Sequence, residues 1–344
     1  MGGGKNLRNS NIELFRIVAM ALVLVLHSNY FSVPQPCIID LIEKPLESFG
    51  RIFIQSSSIG SVNMFILISG WFSIKTKLSS YTSIMFQYAY FAFGIYLLFL
   101  MIGLREFDIH GIYDVLLLSN WNWFIKAYIC LLIISPILNA YINTVNRQHL
   151  KTTIISFFVF QTIFGFLSNG AEFLQGGYST MSFIGLYLLA RYCRLYPDKY
   201  TTLKKKYDFI ITIGLILTLA IGSFIFTKFN ISISLIRYTN PIVVLISLYS
   251  LLFFSKININ NVFINTLASS SFAVYLLHMD INVINYYKSI AIYIYSNYSG
   301  VMYILGLAIL VIFFYLMAFV LDQPRKMLYD RVIYPLIEKY DSKQ

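Results

Sequence analysis

Apolar runs of about 20 residues recur along the chain, each bounded by a short polar or basic connection, and a run of that length crosses a bilayer as a helix. The pattern predicts ten membrane helices, near 12–33, 52–74, 80–104, 123–145, 152–169, 178–195, 207–228, 236–255, 265–287 and 299–322. The fifth, sixth and eighth are marginal. The expected fold class is therefore all-α, a polytopic membrane helix bundle. It forms a single integral-membrane domain over 1–344, with a core at about 12–322 and a cytoplasmic tail at 323–344. An even number of crossings places both termini on one side. No internal repeat, low-complexity tract or separate soluble domain interrupts the pattern.

Composition agrees. Hydrophobic residues make up 58% of the chain and charged ones 12%, with a mean hydropathy of +0.70, outside the range of soluble domains. The first run is too long for a signal peptide and lacks a small-residue cleavage site. Met1-Gly-Gly-Gly4 lacks the Ser or Thr that a myristoylation signal requires.

A net charge of +11 raises nucleic acid as a partner, but the placement of the charges argues for a membrane instead. Nineteen of the 26 Lys and Arg residues, Lys5, Arg8, Lys204, Lys205, Lys206 and Lys343 among them, fall in connections on one predicted side. The positive-inside bias makes that side the cytoplasm and puts both termini there. Richness in Ile, Asn, Lys, Tyr and Phe fits an AT-rich bacterial genome, hence a multi-pass protein of the bacterial inner membrane. Cys37, Cys130 and Cys193 have no metal-ligand spacing and read as packing residues, so no metal is expected.

Ionisable residues inside such runs are costly, and they usually face a cavity. Arg16 and His27 share the first run, roughly 16 Å apart along a helix axis. Arg16 lies near the cytoplasmic interface and His27 in the outer half. His278 reaches a similar depth on the ninth helix. From pattern alone, two readings stand for these histidines: helix-packing groups satisfied by carbonyls, or groups lining a catalytic or binding cavity. Their matched depth favours the second.

Arg16 is equally a snorkelling anchor or a phosphate clamp, since a guanidinium binds phosphate bidentately. Glu13, three residues away on the same face, could hold it in an ion pair. Asn63 and Ser69 sit in a small-residue stretch, Gly60 to Trp71, for which tight helix packing is the simpler explanation. His110 and His149 fall in loops. The loop at 105–122 is a surface or re-entrant segment that could cover a substrate mouth. Asp322 and Arg325 read as interfacial.

Five segments, in order, resemble the acyltransferase 3 family of bacterial membrane O-acyltransferases. Glu13-Leu-Phe-Arg16 followed by His27 is similar to the family's acidic-x-x-Arg start with its histidine eleven residues on. Val62-Asn63-Met-Phe65 through Ser69-Gly70-Trp71-Phe72 resembles its "FFxxSGY" segment. Trp123-Phe124 to Tyr128, with Ser135-Pro136-Ile-Leu-Asn139, resembles "WFxxxY…SPxL". Tyr275-Leu-Leu-His278 resembles "YLxH", and Leu321-Asp322-x-x-Arg325 the usual end. The family's basic cluster at the start of the third helix is missing from Ser79–Tyr90, where Lys75 and Lys77 in the preceding loop are the nearest substitutes. The resemblance is to the stand-alone form, without a periplasmic hydrolase domain.

The resemblance implies transfer of an acyl group, usually acetyl, from cytosolic acyl-CoA to a hydroxyl of a surface polysaccharide or lipid-linked glycan. Arg16, with Glu13, Lys75 and Lys77, would serve the coenzyme. His27 would deprotonate the acceptor or carry the acyl group transiently. Asn63, Ser69 or a backbone N–H would stabilise the oxyanion, while His278 and Tyr275 line the same cavity. Trp123 and Tyr128 join the substrate contacts. A transporter or flippase for a glycan precursor or small solute is the rival, against which stands the lack of inverted repeats and of paired broken helices. A structural subunit whose polar residues only specify packing is the third possibility.

Overall fold

A computed structural model of the chain describes residues 9–75, 77–119, 121–168 and 171–341. Lys5, Arg8 and Lys343, used above to orient the chain, lie outside these residues. The protein is all-helical, with no strand among the described residues. The helices are α1 (Ser10–Ser28), α2 (Ile38–Glu43), α3 (Pro45–Ser58), α4 (Ser61–Phe72), α5 (Leu78–Met101), α6 (Ile109–Val115), α7 (Trp123–Thr144) and α8 (Arg147–Phe160). There follow α9 (Thr180–Leu195), α10 (Lys205–Lys228), α11 (Pro241–Ser255), α12 (Val262–Ala268), α13 (Ser271–His278), α14 (Ile284–Asn297), α15 (Gly300–Leu328) and α16 (Tyr334–Asp341).

Seven helical segments are long and apolar enough to cross a membrane: Ser10–Ser28, Pro45–Phe72, Leu78–Met101, Trp123–Thr144, Arg147–Leu167, Lys205–Lys228 and Gly300–Glu338. The other three of the ten expected spans appear as shorter helices. The sixth is α9, of 16 residues, and the eighth is α11, of 15. The eighth starts late because Asn240 caps it: its side chain accepts a hydrogen bond from the Ile242 N–H, and Pro241 occupies the first turn. The ninth was expected as one span over 265–287. It is instead broken at Ser269–Ser270 and again after His278. There the Asp280 carboxylate accepts from the Asn282 backbone and side-chain amides, both at 2.9 Å, and turns the chain into α14.

The first helix is the central post, touching α3, α4, α11, α12, α13, α14 and α15. Its Phe15, Ala19 and Leu24 are wholly buried. It runs parallel to the α12–α13 pair in constant register. At one end Ser10 Oγ accepts from the Asn261 N–H at 3.0 Å, and at the other His27 meets His278, each pair being 251 residues apart.

On the other side, α4 presses against α9 through Gly70. A Cβ there would lie 2.4 Å from the Tyr187 carbonyl oxygen and 2.9 Å from its Cα, so backbone rather than a flexible side chain would have to yield. Gly70→Ala is accordingly expected to cost at least about 1–3 kcal/mol, as overpacking does. The check is a lower melting temperature in detergent, with Gly94→Ala as the neutral comparison because its Cβ would meet nothing within 4 Å.

Candidate functional site

Eleven residues make close to three turns at 3.6 residues per turn, so Arg16 and His27 leave α1 on nearly the same face. Met20 and Val23 continue the stripe between them. All four line one cavity of about 770 Å³ inside the bundle. Its Arg16 end is walled by Ser83 and Gln87 of α5 and by Ser269 at the α12–α13 break. Beyond His27 the wall consists of Tyr30, Phe31, Gln35 and Gln55. Between the ends stand Ser69 of α4, Trp123 and Tyr128 of α7, and Tyr275 of α13, four of the predicted substrate contacts. Pattern alone favoured packing for Ser69. In fact its Oγ donates to the Phe65 carbonyl at 3.1 Å and lies 3.1 Å from the Tyr128 hydroxyl, on the cavity wall.

His278 is completely buried behind His27 rather than on the wall. The two rings meet through His27 Nδ1 and His278 Nε2 at 2.9 Å. His278 Nδ1 lies 2.6 Å from the Val274 carbonyl oxygen, which only accepts, so this nitrogen carries the proton. In neutral His278 the other nitrogen, Nε2, is then the acceptor and takes the His27 Nδ1–H. This leaves the His27 Nε2 lone pair free to accept a proton, the tautomer a general base needs. The base is thus oriented by a second histidine, which a main-chain carbonyl orients in turn.

Arg16 is half-buried. Its Nη1 donates to both Glu13 carboxylate oxygens, at 2.8 and 3.1 Å, so the ion-pair alternative is realised. That bond uses one nitrogen of the guanidinium, whose other donors stay available to an anion.

Two predicted groups are placed elsewhere. Asn63 is buried and is not on the cavity wall. Its Nδ2 donates to the Tyr238 carbonyl at 3.1 Å, so it braces the segment that brings Tyr238 to the cavity and corrects the expectation of a direct oxyanion contact. Lys75 and Lys77 are exposed and also stand off the cavity wall; Lys77 is the N-cap residue of α5.

Asp322 and Arg325, read above as interfacial, are buried within the bundle. Asp322 is fully buried, bonded by Arg325 Nε at 2.8 Å, Gln87 Nε2 at 3.1 Å and Ser270 Oγ at 2.8 Å, with Lys326 Nζ at 3.3 Å. A buried carboxylate with two cations and two further donors fixes Gln87, and the α12–α13 break whose Ser269 lines the cavity, around the Arg16 end.

The pattern did not single out Trp121, Tyr178 or Tyr238 as cavity residues. Trp121 Nε1 donates to the Met279 carbonyl at 2.7 Å, while the Tyr178 and Tyr238 rings pack with centroids 5.0 Å apart. Tyr178 and Tyr238 are expected at the starts of the spans 178–195 and 236–255, but they belong to the irregular connections before α9 and α11.

A multi-helix membrane bundle with a cationic group and an oriented histidine in one cavity defines an intramembrane catalyst or carrier. The chain belongs to the Acyl_transf_3 family, whose acyltransferase-domain model matches residues 9–322. It is therefore a multi-pass membrane acyltransferase. Neither the curated proteins nor the solved structures contain a match to it.

Proposed function

We propose that the protein is an O-acyltransferase that takes an acyl group, acetyl first among the candidates, from cytosolic acyl-CoA. It would pass that group to a hydroxyl of a cell-surface polysaccharide or lipid-linked glycan. The observation that carries this reading is the shared cavity of Arg16 and His27. The Arg16 guanidinium binds a coenzyme phosphate at the basic end of the bundle, and the extended pantetheine arm follows the Met20–Val23 stripe. The thioester then arrives beside His27, roughly 16 Å on.

There the His27 Nε2 accepts the acceptor hydroxyl's proton as the oxygen attacks the thioester carbonyl. The aromatic side chains that line the cavity between Arg16 and His27, Trp123, Tyr128 and Tyr275, offer the flat apolar faces that sugar rings pack against. The bias of basic connections supports a cytoplasmic donor side and the composition supports a bacterial inner membrane; acyl-CoA is the only coenzyme the scheme needs.

Purified protein in detergent tests this reading. Acyl-CoA should bind in a salt-sensitive manner, and surface glycan from a deletion strain should lose one acyl increment of mass relative to its parent. Movement of a sugar precursor across liposomes without any acyl donor would instead establish a carrier.

A further inference from the structure

Transfer from a thioester passes through a tetrahedral intermediate whose oxygen carries a full negative charge, and fixed hydrogen-bond donors are the usual means of lowering its energy. Three side-chain amides line the cavity: Gln87 Nε2 is committed to Asp322, and Gln35 is exposed in the connection after α1, with nothing among the described residues to fix its position.

Gln55 of α3 differs. It lines the cavity with His27 yet is only 4% exposed. Its Oε1 accepts from Asn29 Nδ2 at 3.2 Å, and Asn29 follows His27 by two residues, which pins Gln55 to the His27 end of α1. Asn29 is itself fully buried and clamped. Its Nδ2 also donates to the Arg51 carbonyl at 3.0 Å, and its Oδ1 accepts from Arg51 Nε at 3.3 Å. Arg51 is held in turn by the Pro34 carbonyl at 2.6 Å and by the Tyr295 ring, 4.6 Å from its guanidinium carbon. With Oε1 taken, Gln55 Nε2 makes no hydrogen bond among the described residues.

We propose that Gln55 Nε2 is the oxyanion donor of the transfer, held in place by the Arg51–Asn29 clamp. The inference rests on the acyltransferase reading above. As the acceptor oxygen bonds to the thioester carbon, its proton passes to His27 Nε2 and the carbonyl pair moves onto oxygen, where a Gln55 N–H meets it. Collapse re-forms the carbonyl and breaks the carbon–sulfur bond. The departing coenzyme A thiolate then recovers the proton from His27.

Gln55→Glu and Gln55→Met keep the side chain's length and remove the amide donor; Glu also keeps the oxygen that Asn29 binds. Each should lower turnover about 10²- to 10³-fold, the range for losing one oxyanion donor. The loss should appear equally in transfer to glycan and in acceptor-free hydrolysis of acetyl-CoA, with acetyl-CoA affinity within about twofold of the parent. A variant that loses glycan transfer but hydrolyses at the parent rate would make Gln55 an acceptor contact and overturn the proposal, as would unchanged turnover.

A second measurement does not depend on these variants folding. Carbonyl-labelled acetyl-CoA bound to the otherwise unaltered His27→Ala protein should show a lowered carbonyl stretching frequency in the infrared. A free-solution frequency there would also overturn the proposal. Failure of the acyltransferase reading looks different: the unmodified protein would neither bind nor turn over acetyl-CoA.

Discussion

His27→Ala abolishes acyl transfer while the protein still inserts, folds and binds acyl-CoA. Removing a positioned general base costs about 10²- to 10⁴-fold, and loss of a transient acyl carrier would cost at least as much. The substitution leaves Arg16 and the intervening stripe of α1 untouched, so the affinity for the donor should stay near that of the parent. The readout is initial rate against acyl-CoA concentration, set beside a binding isotherm for the same preparation. Undiminished transfer would remove His27 from the chemistry. Lost binding together with lost folding would make the pair with His278 a packing device. His278→Ala should be milder in transfer, because it removes the group that fixes the tautomer and leaves the base itself.

Arg16→Ala is expected to weaken acyl-CoA binding about 10- to 100-fold, the value of one or two hydrogen bonds to a charged partner at roughly 1.4 kcal/mol per decade. Its signature is ionic strength: affinity in the parent should fall with added salt, and in the variant the slope should flatten. Turnover at saturating donor should stay close to the parent, since the guanidinium sits about three helical turns from His27. A steep salt dependence that survives the substitution would move the phosphate site to another cation, with Lys326 beside Ser269 first in line. Glu13, bonded to Arg16 Nη1, restrains the side chain and limits the entropy lost on binding.

The fold class and the two ends of the cavity were legible in the sequence because each depends on one helix. Apolar length announces a membrane segment, and the spacing of Arg16 and His27 on α1 is set by helix geometry alone. The breaks in the ninth predicted span were less visible. A Ser-Ser step and an Asp-x-Asn turn sit inside apolar sequence that hydropathy averaging smooths over, so α13 and α14 read as one segment. Side-chain orientation was harder still. Nothing local says that the Asn63 amide reaches the Tyr238 carbonyl, 175 residues away, or that Asp322 would be enclosed by Gln87, Ser270 and Arg325. Tyr178 and Tyr238 fall at the starts of predicted spans, yet the chain becomes helical only after them, so helical periodicity could not give their inward face. Gln55 escaped notice because its partner Asn29 lies just past the end of α1 and the pair forms only when α1 and α3 close together.

The bond between His27 and His278 joins two helices whose synthesis is separated by 251 residues. A nascent polypeptide stopped short of Ser271 holds an imidazole with no neighbour to select its proton position. Copies that lack the second of these helices would lack the proton placement on which the proposed chemistry relies, so the reaction would wait for a fully assembled bundle.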